Sequence, residues 1–283
     1  MQPVLPGRDR PPVRFGIVVK VRLDTLLHQR GLFDSRSRAA ASVMAGEVRL
    51  GGADGARAAK PGQMVSEDVE LVVDARPRYV SRGGVKLANA VAGFGLDVGG
   101  RRALDVGAST GGFTDFLLQS GAEHVVAYDV AYGELAWSLR NDERVTVVER
   151  SNARNMTAEE LPYRPDLVVA DVSFISLTKV LPAVLRCAAP DGYDALAMIK
   201  PQFEVGRERI GSGGVVREAA DRRAALVSVA RGVGEVASVL GFASSGLPGP
   251  KGNRETFVWL AEPGRAGALD DEGIVAAAEE VEP

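Results

Sequence analysis

Between Arg101 and Ala261, short apolar runs alternate with stretches of helical spacing. The runs ALDVG (103–107), HVVAYD (124–129), RVTVVE (144–149), DLVVAD (166–171) and DALAMIK (194–200) are nearly continuous in Val, Ile, Leu and Ala. Such runs predict strands buried on both faces. VASVLGF (236–242) and TFVWLA (256–261) predict a late pair. Apolar residues three and four apart predict helices near 86–94, 113–120, 133–139, 177–188 and 218–234. Strands alternating with helices imply an α/β fold with a mostly parallel sheet covered on both sides.

The pattern before residue 75 is different. Leu23, Leu26 and Leu27 lie at helical spacing and Gly31 ends that helix. Ser35 stands where it can cap a second helix whose apolar face is Ala39, Ala40, Val43 and Met44, and Gly46 stops it. EVRLGG and VELVV (69–73) predict strands. Residues 20–74 therefore read as a small α+β unit and 75–84 as a linker with Pro77 and paired glycines. Residues 85–262 form the large domain. Residues 1–19, with four prolines, predict a disordered arm. The acidic, Ala/Gly-rich stretch 263–283 predicts a tail that does not pack.

Composition sharpens this picture. Hydrophobic residues at 46% and charged residues at 25% support a packed core. Cys187 stands alone, which excludes an internal disulfide and points to a reducing, cytoplasmic compartment. With His28 and His124 as the only histidines, a Cys/His metal site is excluded as well. No apolar run reaches the ~20 residues of a membrane-spanning helix, and the first residues lack the apolar segment of a secretory leader. The net charge of −3 conceals an asymmetry: residues 1–86 hold 15 Lys/Arg against 9 Asp/Glu, and the remainder 19 against 28. A basic amino-terminal part predicts an anionic partner.

The sharpest candidate chemistry is the turn Gly107-Ala108-Ser109-Thr110-Gly111-Gly112, between a strand and a helix opened by Phe113. Glycines there let backbone approach a ligand closely, at the strand end where open parallel sheets bind small molecules. Asp105 precedes the loop, where an acid can accept from an amino group. Asp129 follows Gly107 by 22 residues, at the end of the next strand. An acid about 20 residues on binds ribose hydroxyls in this architecture. Asn152, just past the third strand, joins the candidate cofactor set. A plain glycine turn with Asp129 as a helix cap is the alternative. A dinucleotide is disfavoured because Ser109 breaks the G-x-G-x-x-G spacing.

Five stretches, SRGGVKL, LDVGASTGGFTD, DVSFISL, IKPQFEVG and GNRETF, resemble the methyltransferase part of the TlyA family. That family is related to the FtsJ-type ribose 2′-O-methyltransferases. RLDTLLHQRG and SRSRAAASVMAGEVRLGG resemble the S4 RNA-binding domain. The resemblance implies a Rossmann-like methyltransferase fold with a seven-stranded, mostly parallel sheet. It implies S-adenosyl-L-methionine as cofactor and a cytidine ribose 2′-hydroxyl of ribosomal RNA, within the ribosomal subunits, as methyl acceptor. The Lys-Asp-Lys-Glu set of FtsJ-type enzymes falls on Lys86, Asp171, Lys200 and Glu255. Asp171 and Lys200 also end predicted strands, where ligands bind. On this reading Lys200 serves as base or stabilises the developing alkoxide, Lys86 and Glu255 orient it and the ribose, and Asp171 bridges the cofactor pocket and Lys200. A lysine can act as base only if a second cation or burial disfavours its charged form. No metal is needed, because the cofactor's sulfonium is its own leaving group.

One departure stands out: Tyr79, in RPRYV, replaces the tryptophan that the family carries before SRG. Lys20, Arg22, Arg36, Arg38, Arg49 and Arg82 form the candidate RNA-binding set, suited to phosphates rather than bases. The RLD at 22–24 also occurs in pseudouridine synthases as a catalytic motif, but without their sheet Asp24 reads as structural. The rival readings are a non-enzymatic RNA-binding or assembly factor, a pore-forming haemolysin (a label that family has carried) and, more remotely, a dinucleotide oxidoreductase.

Overall fold

A computed structural model describes residues 20–44, 46–74, 78–249 and 251–283. The chain divides after residue 76 into two compact units. The expected arm, 1–19, lies outside the described residues, as does Pro77.

The first unit runs β1 (Lys20–Arg22), α1 (Leu23–Gln29), α2 (Arg36–Met44), β2 (Val48–Leu50), β3 (Ala56–Arg57), β4 (Met64–Ser66) and β5 (Leu71–Val73). β1 pairs with β4, and a second sheet has the order β3-β2-β5. Leu23, Leu26, Leu27, Ala39, Val43, Val48 and Val65 form its core. Gly31, at φ 71, takes the left-handed turn after α1, and Ser35 caps α2 through the Arg38 N–H at 3.3 Å. The short strands β1, β3 and β4 are not legible in the sequence, being too brief for any periodicity.

The second unit runs α3 (Arg82–Phe94), β6 (Arg102–Val106), α4 (Gly112–Gln119), β7 (His124–Tyr128), α5 (Trp137–Arg140) and β8 (Val145–Val148). It continues β9 (Leu167–Ala170), α6 (Leu181–Leu185), β10 (Asp194–Ile199), α7 (Pro201–Glu204), α8 (Ala219–Val233), β11 (Ser238–Ser244), β12 (Thr256–Ala261) and α9 (Asp271–Val281). Its seven strands are ordered β11-β12-β10-β9-β6-β7-β8, and only β12 runs against the rest. This is the Rossmann-like methyltransferase fold. The chain winds outward from β6 to β8, then returns to β9 on the other side of β6. That reversal opens a crevice at the carboxyl ends of β6 and β9.

Alternate strand residues feed two cores, as a sheet covered on both sides requires. Ala103, Val125, Val169, Leu196 and Phe257 meet Leu87 and Ala90 of α3 and Phe113, Phe116 and Leu117 of α4. Leu104, Val126, Val168, Ala197 and Val258 meet Leu181 and Val184 of α6, Val229 of α8, and Ile274 and Ala278 of α9.

The packing of α9 overturns the expected unpacked tail at 263–283. Ile274, Ala278 and Val281 form an apolar stripe at helical spacing against the core. Asp270 caps the helix by accepting from the Gly273 N–H at 2.8 Å. Helix boundaries also move. α3 begins at Arg82 rather than residue 86, because Ser81 caps it through the Gly83 N–H. The paired glycines of the expected linker thus form the first turn of α3. The helix expected over 177–188 is a 3-10 turn at Leu177–Lys179 followed by the short α6. That over 133–139 shrinks to α5.

Candidate active site

β6 delivers Asp105 and then the turn. Asp105 is fully buried. One carboxylate oxygen accepts from the Thr114 N–H at 2.9 Å and the Thr114 hydroxyl at 2.7 Å, while the other has no hydrogen-bond partner among the described residues. Burial pushes this carboxyl up to about 7, against the pull of the two Thr114 hydrogen bonds. Gly107, at φ 82, lies so close to β9 that a Cβ would stand 2.4 Å from the Asp171 carbonyl oxygen. Only glycine allows the two strand ends to meet there.

β7 delivers Asp129. Its carboxylate accepts from the Ser109 N–H and the Ala131 N–H, both at 2.7 Å. Ser109 holds a left-handed backbone at φ 47, and its hydroxyl donates to Glu134 at 3.2 Å. A cavity of about 510 Å³ opens above, lined among others by Gly107, Ser109, Asp129, Asn152 and Asp171. Asn152 also caps the following turn through the Arg154 N–H at 3.1 Å. Ala108 is buried beside Asp129. Gly111 and Gly112 make the start of α4 and do not line the cavity. Phe113 is a correction: its side chain points into the core, 5.8 Å from the Phe257 ring, and not toward the ligand crevice.

Asp171 and Lys200 follow the carboxyl ends of β9 and β10. The Lys200 ammonium lies 2.5 Å from Asp171 Oδ1 as an ion pair without hydrogen-bond alignment. It donates to the Ser173 hydroxyl at 2.8 Å. The β10–β12 ladder sets Ile199 opposite Thr256, so Lys200 and Glu255 emerge side by side at one sheet end. Glu255 accepts from Lys86 of α3 in a pair buried at 9% and 2% side-chain exposure. Each lysine thus has its own carboxylate, and cations alternate with anions around the rim. Lys86 lies in the second turn of α3, not at its opening.

A second cavity of about 340 Å³ adjoins the first. Lys200, Asn253 and Glu255 line it, and Ser173 and Phe174 line both cavities. Sequence reasoning passed over these two residues, although they follow Asp171 by two and three positions in the motif DVSFISL. Phe174 is 91% exposed, holds φ 66 and faces the Phe203 ring at 5.2 Å. A bulky residue in that backbone region is costly and persists where surroundings enforce it. Asn253, the other omission, donates to the Gly214 carbonyl at 2.8 Å and accepts from the Val216 N–H at 2.9 Å.

The basic set divides between the units. In the first, Arg22 grips buried Asp24 with two donors at 3.1 and 2.6 Å, and Arg36 adds a contact at 3.6 Å. These cations hold the Asp24 carboxyl down at about 2, in keeping with a structural role. Arg38 pairs with Asp34, and Arg49 with Asp74 at 2.9 Å. Lys20 is exposed. Arg82 belongs to the second unit, where it donates to the Pro248 carbonyl at 2.8 Å.

Comparison with known proteins agrees with this geometry. Residues 79–262 match the family model of FtsJ-like methyltransferases. The 16S/23S rRNA (cytidine-2′-O)-methyltransferase TlyA of Mycobacterium tuberculosis is 51% identical over 244 residues, covering 85% of this chain and 90% of that protein. Hemolysin A of Brachyspira hyodysenteriae is 38% identical and covers 70% of this chain and 81% of its own. The solved structure of a Streptococcus thermophilus protein described as a hemolysin superposes with a TM-score of 0.69 at 39% identity, covering 93% of this chain and 96% of that one. The chain belongs to the FtsJ-like methyltransferase family.

Proposed function

We propose that this protein is an S-adenosylmethionine-dependent methyltransferase that methylates a ribose 2′-hydroxyl of ribosomal RNA, on a cytidine. The observation that carries the reading is the alternating set Lys86, Glu255, Lys200 and Asp171: Asp171 lines the first cavity, its partner Lys200 and Glu255 line the adjoining second, and Lys86 holds Glu255. The first cavity fits the cofactor. Asp129 offers a carboxylate for ribose hydroxyls, Gly107 lets the ends of β6 and β9 meet at the cavity wall, and Asp105, buried beneath the turn and outside the cavity lining, keeps an oxygen without a partner among the described residues. When bound, the cofactor supplies a methyl group already activated on sulfur.

The second cavity is suited to the acceptor nucleoside. Phe174 and Phe203 offer apolar faces on which an unstacked base can lie. Lys200 meets the acceptor hydroxyl, and Asp171 and Ser173 fix the direction of its ammonium. Glu255, held by Lys86, stands beside Lys200 in the cavity wall to orient the ribose. Positioning of this kind supplies a large part of the rate enhancement in a direct transfer. The first unit, an S4-type module on this reading, would bind RNA phosphates. Among the described residues no helix is long and apolar enough to cross a membrane, and we place the activity in the cytoplasm.

The test is methyl transfer to ribosomal RNA by Lys200→Ala. The expected result is a loss of ~10²–10⁴ in rate with cofactor affinity retained by calorimetry. Undiminished turnover would remove Lys200 from the mechanism. Absence of any cofactor binding by the parent protein would favour the assembly-factor reading.

A further inference from the structure

Behind the candidate active site, on the face of the sheet opposite α3, lies a buried charge network. Glu282 is 3% exposed. Its carboxylate accepts from Arg222 of α8 at 2.8 Å, in a pair whose side chains are 9% and 4% exposed. The same carboxylate lies 3.5 Å from the Arg254 guanidinium and accepts from the Thr256 hydroxyl at 3.5 Å. Arg222 donates onward to the Arg217 carbonyl at 2.5 Å, and Arg223 holds the Glu282 carbonyl at 3.2 Å.

These interactions converge on Glu255. Arg254 and Thr256 are its two neighbours in sequence, and Thr256 is also the ladder partner of Ile199, which precedes Lys200. Along a strand, side chains alternate between faces. Glu255 meets Lys86 of α3 on one face, as Phe257 meets the α3/α4 core. Thr256 therefore turns to the other face, where Glu282 takes its hydroxyl. The Arg217 carbonyl ends the segment 214–217, whose Gly214 and Val216 are tied to Asn253. Gly214, Asn253 and Glu255 line the second cavity. One carboxylate thus joins α9, α8, the start of β12 and the wall of the acceptor cavity.

We propose that Glu282 is a positioning residue for methyl transfer: docked by Arg222, it fixes the start of β12 and with it the register of Glu255 against Lys86 and Lys200. The proposal rests on the reading of the second cavity as the acceptor site. A buried ion pair gives little net stability over an apolar pair of the same volume, so its effect is sought in geometry and not in melting temperature.

Two variants test it: Glu282→Ala, and the double Arg222→Met with Glu282→Leu, which replaces the buried pair with apolar side chains so that α9 stays docked. Single-turnover methyl transfer at saturating ribosomal RNA should fall at least tenfold in both variants, with cofactor affinity unchanged and the RNA concentration dependence moved less than threefold. Amide exchange of residues 253–257 and 214–217 should quicken in both, a readout that requires no activity. Parent-like rates together with parent-like exchange in the double variant overturn the proposal, as does a loss of cofactor affinity as large as the loss of rate. If the parent itself fails to methylate RNA, the acceptor reading falls, and the exchange result alone decides whether Glu282 braces this wall.

Discussion

Asp105 is a fully buried carboxyl group, and its protons report on the whole unit. Burial raises it to about 7 from an ordinary 3.8, and the Thr114 hydrogen bonds only partly offset this. In the unfolded chain the same group ionises near its ordinary value. Between about pH 4 and pH 7 the folded state therefore holds the extra proton. Stability contributed through Asp105 should decline as pH rises across that window, by up to ~1.4 kcal/mol per pH unit. Chemical denaturation of the parent and of Asp105→Asn at half-unit pH intervals checks this. The asparagine variant should show the flatter curve, and parallel curves would count against a proton on Asp105. Glu262, drawn down to about 2 mainly by its hydrogen bond to Arg265, acts in the opposite sense and only at lower pH. Tyr79 teaches a different lesson at the same scale. Its ring is 4% exposed and stacks edge-on against Phe116 at 5.7 Å, yet its hydroxyl is buried without a hydrogen-bond partner among the described residues. The fold uses the residue as an aromatic block.

The amino-terminal ends of α3 and α4 meet at glycine, and that close approach holds Lys86, the candidate catalytic lysine of α3, in place. A Cβ on Gly112 would stand 2.1 Å from the Ser81 hydroxyl and 2.9 Å from the Gly84 nitrogen. Gly112 has no positive φ, so close approach alone requires the glycine. Gly112→Ala should cost ~1–3 kcal/mol by overpacking and displace Lys86 with its helix. Thermal melting checks the first effect and methyl transfer the second, and an unshifted melting temperature would mean that α3 gives way freely. Neither spacing nor composition announces this meeting: the sequence pattern puts Gly83 and Gly84 in a linker and Gly111 and Gly112 in a turn, and only the packing makes them helix starts. Longer elements are legible: every strand of the large sheet falls within two residues of its expected ends, because buried parallel strands are written as uninterrupted apolar runs. α9 is not. Ile274, Ala278 and Val281 are its apolar anchors, scattered among acids, and the α8 and β11 surfaces that they cover are remote in the sequence. α7, four residues long, is below the reach of any periodicity.

At the scale of the whole molecule, ordered motifs find the four candidate catalytic residues, but not how they pair. Lys86 and Glu255 are 169 residues apart, and their meeting depends on β12 inserting antiparallel between β10 and β11. Charge is legible as a sum and not as a surface. Residues 1–86 carry the basic excess, yet in the first unit Arg22 and Arg49 are engaged largely with Asp24 and Asp74. Arg36 and Arg38 are freer: their side chains are 55% and 69% exposed, in the first turn of α2. The exposed Arg38–Asp34 pair contributes only ~0–1 kcal/mol to folding, and buried Asp24 keeps both hydrogen bonds from Arg22 when the 3.6 Å contact of Arg36 is lost, so both arginines can be neutralised with little effect on stability. RNA binding should respond differently. Every phosphate left without its cation removes ~0.7–0.9 from the slope of log affinity against log salt, so Arg36→Gln with Arg38→Gln should lower that slope by ~1.4–1.8. Affinity at low salt should weaken alike for ribosomal RNA and unrelated structured RNA, because phosphates carry no sequence. Binding isotherms from 50 to 300 mM KCl, roughly the range over which such charges are screened, measure this directly. An unchanged slope would show that phosphates are met elsewhere, with the exposed cations Lys20 of the first unit and Lys251 beside the second cavity next to be tested.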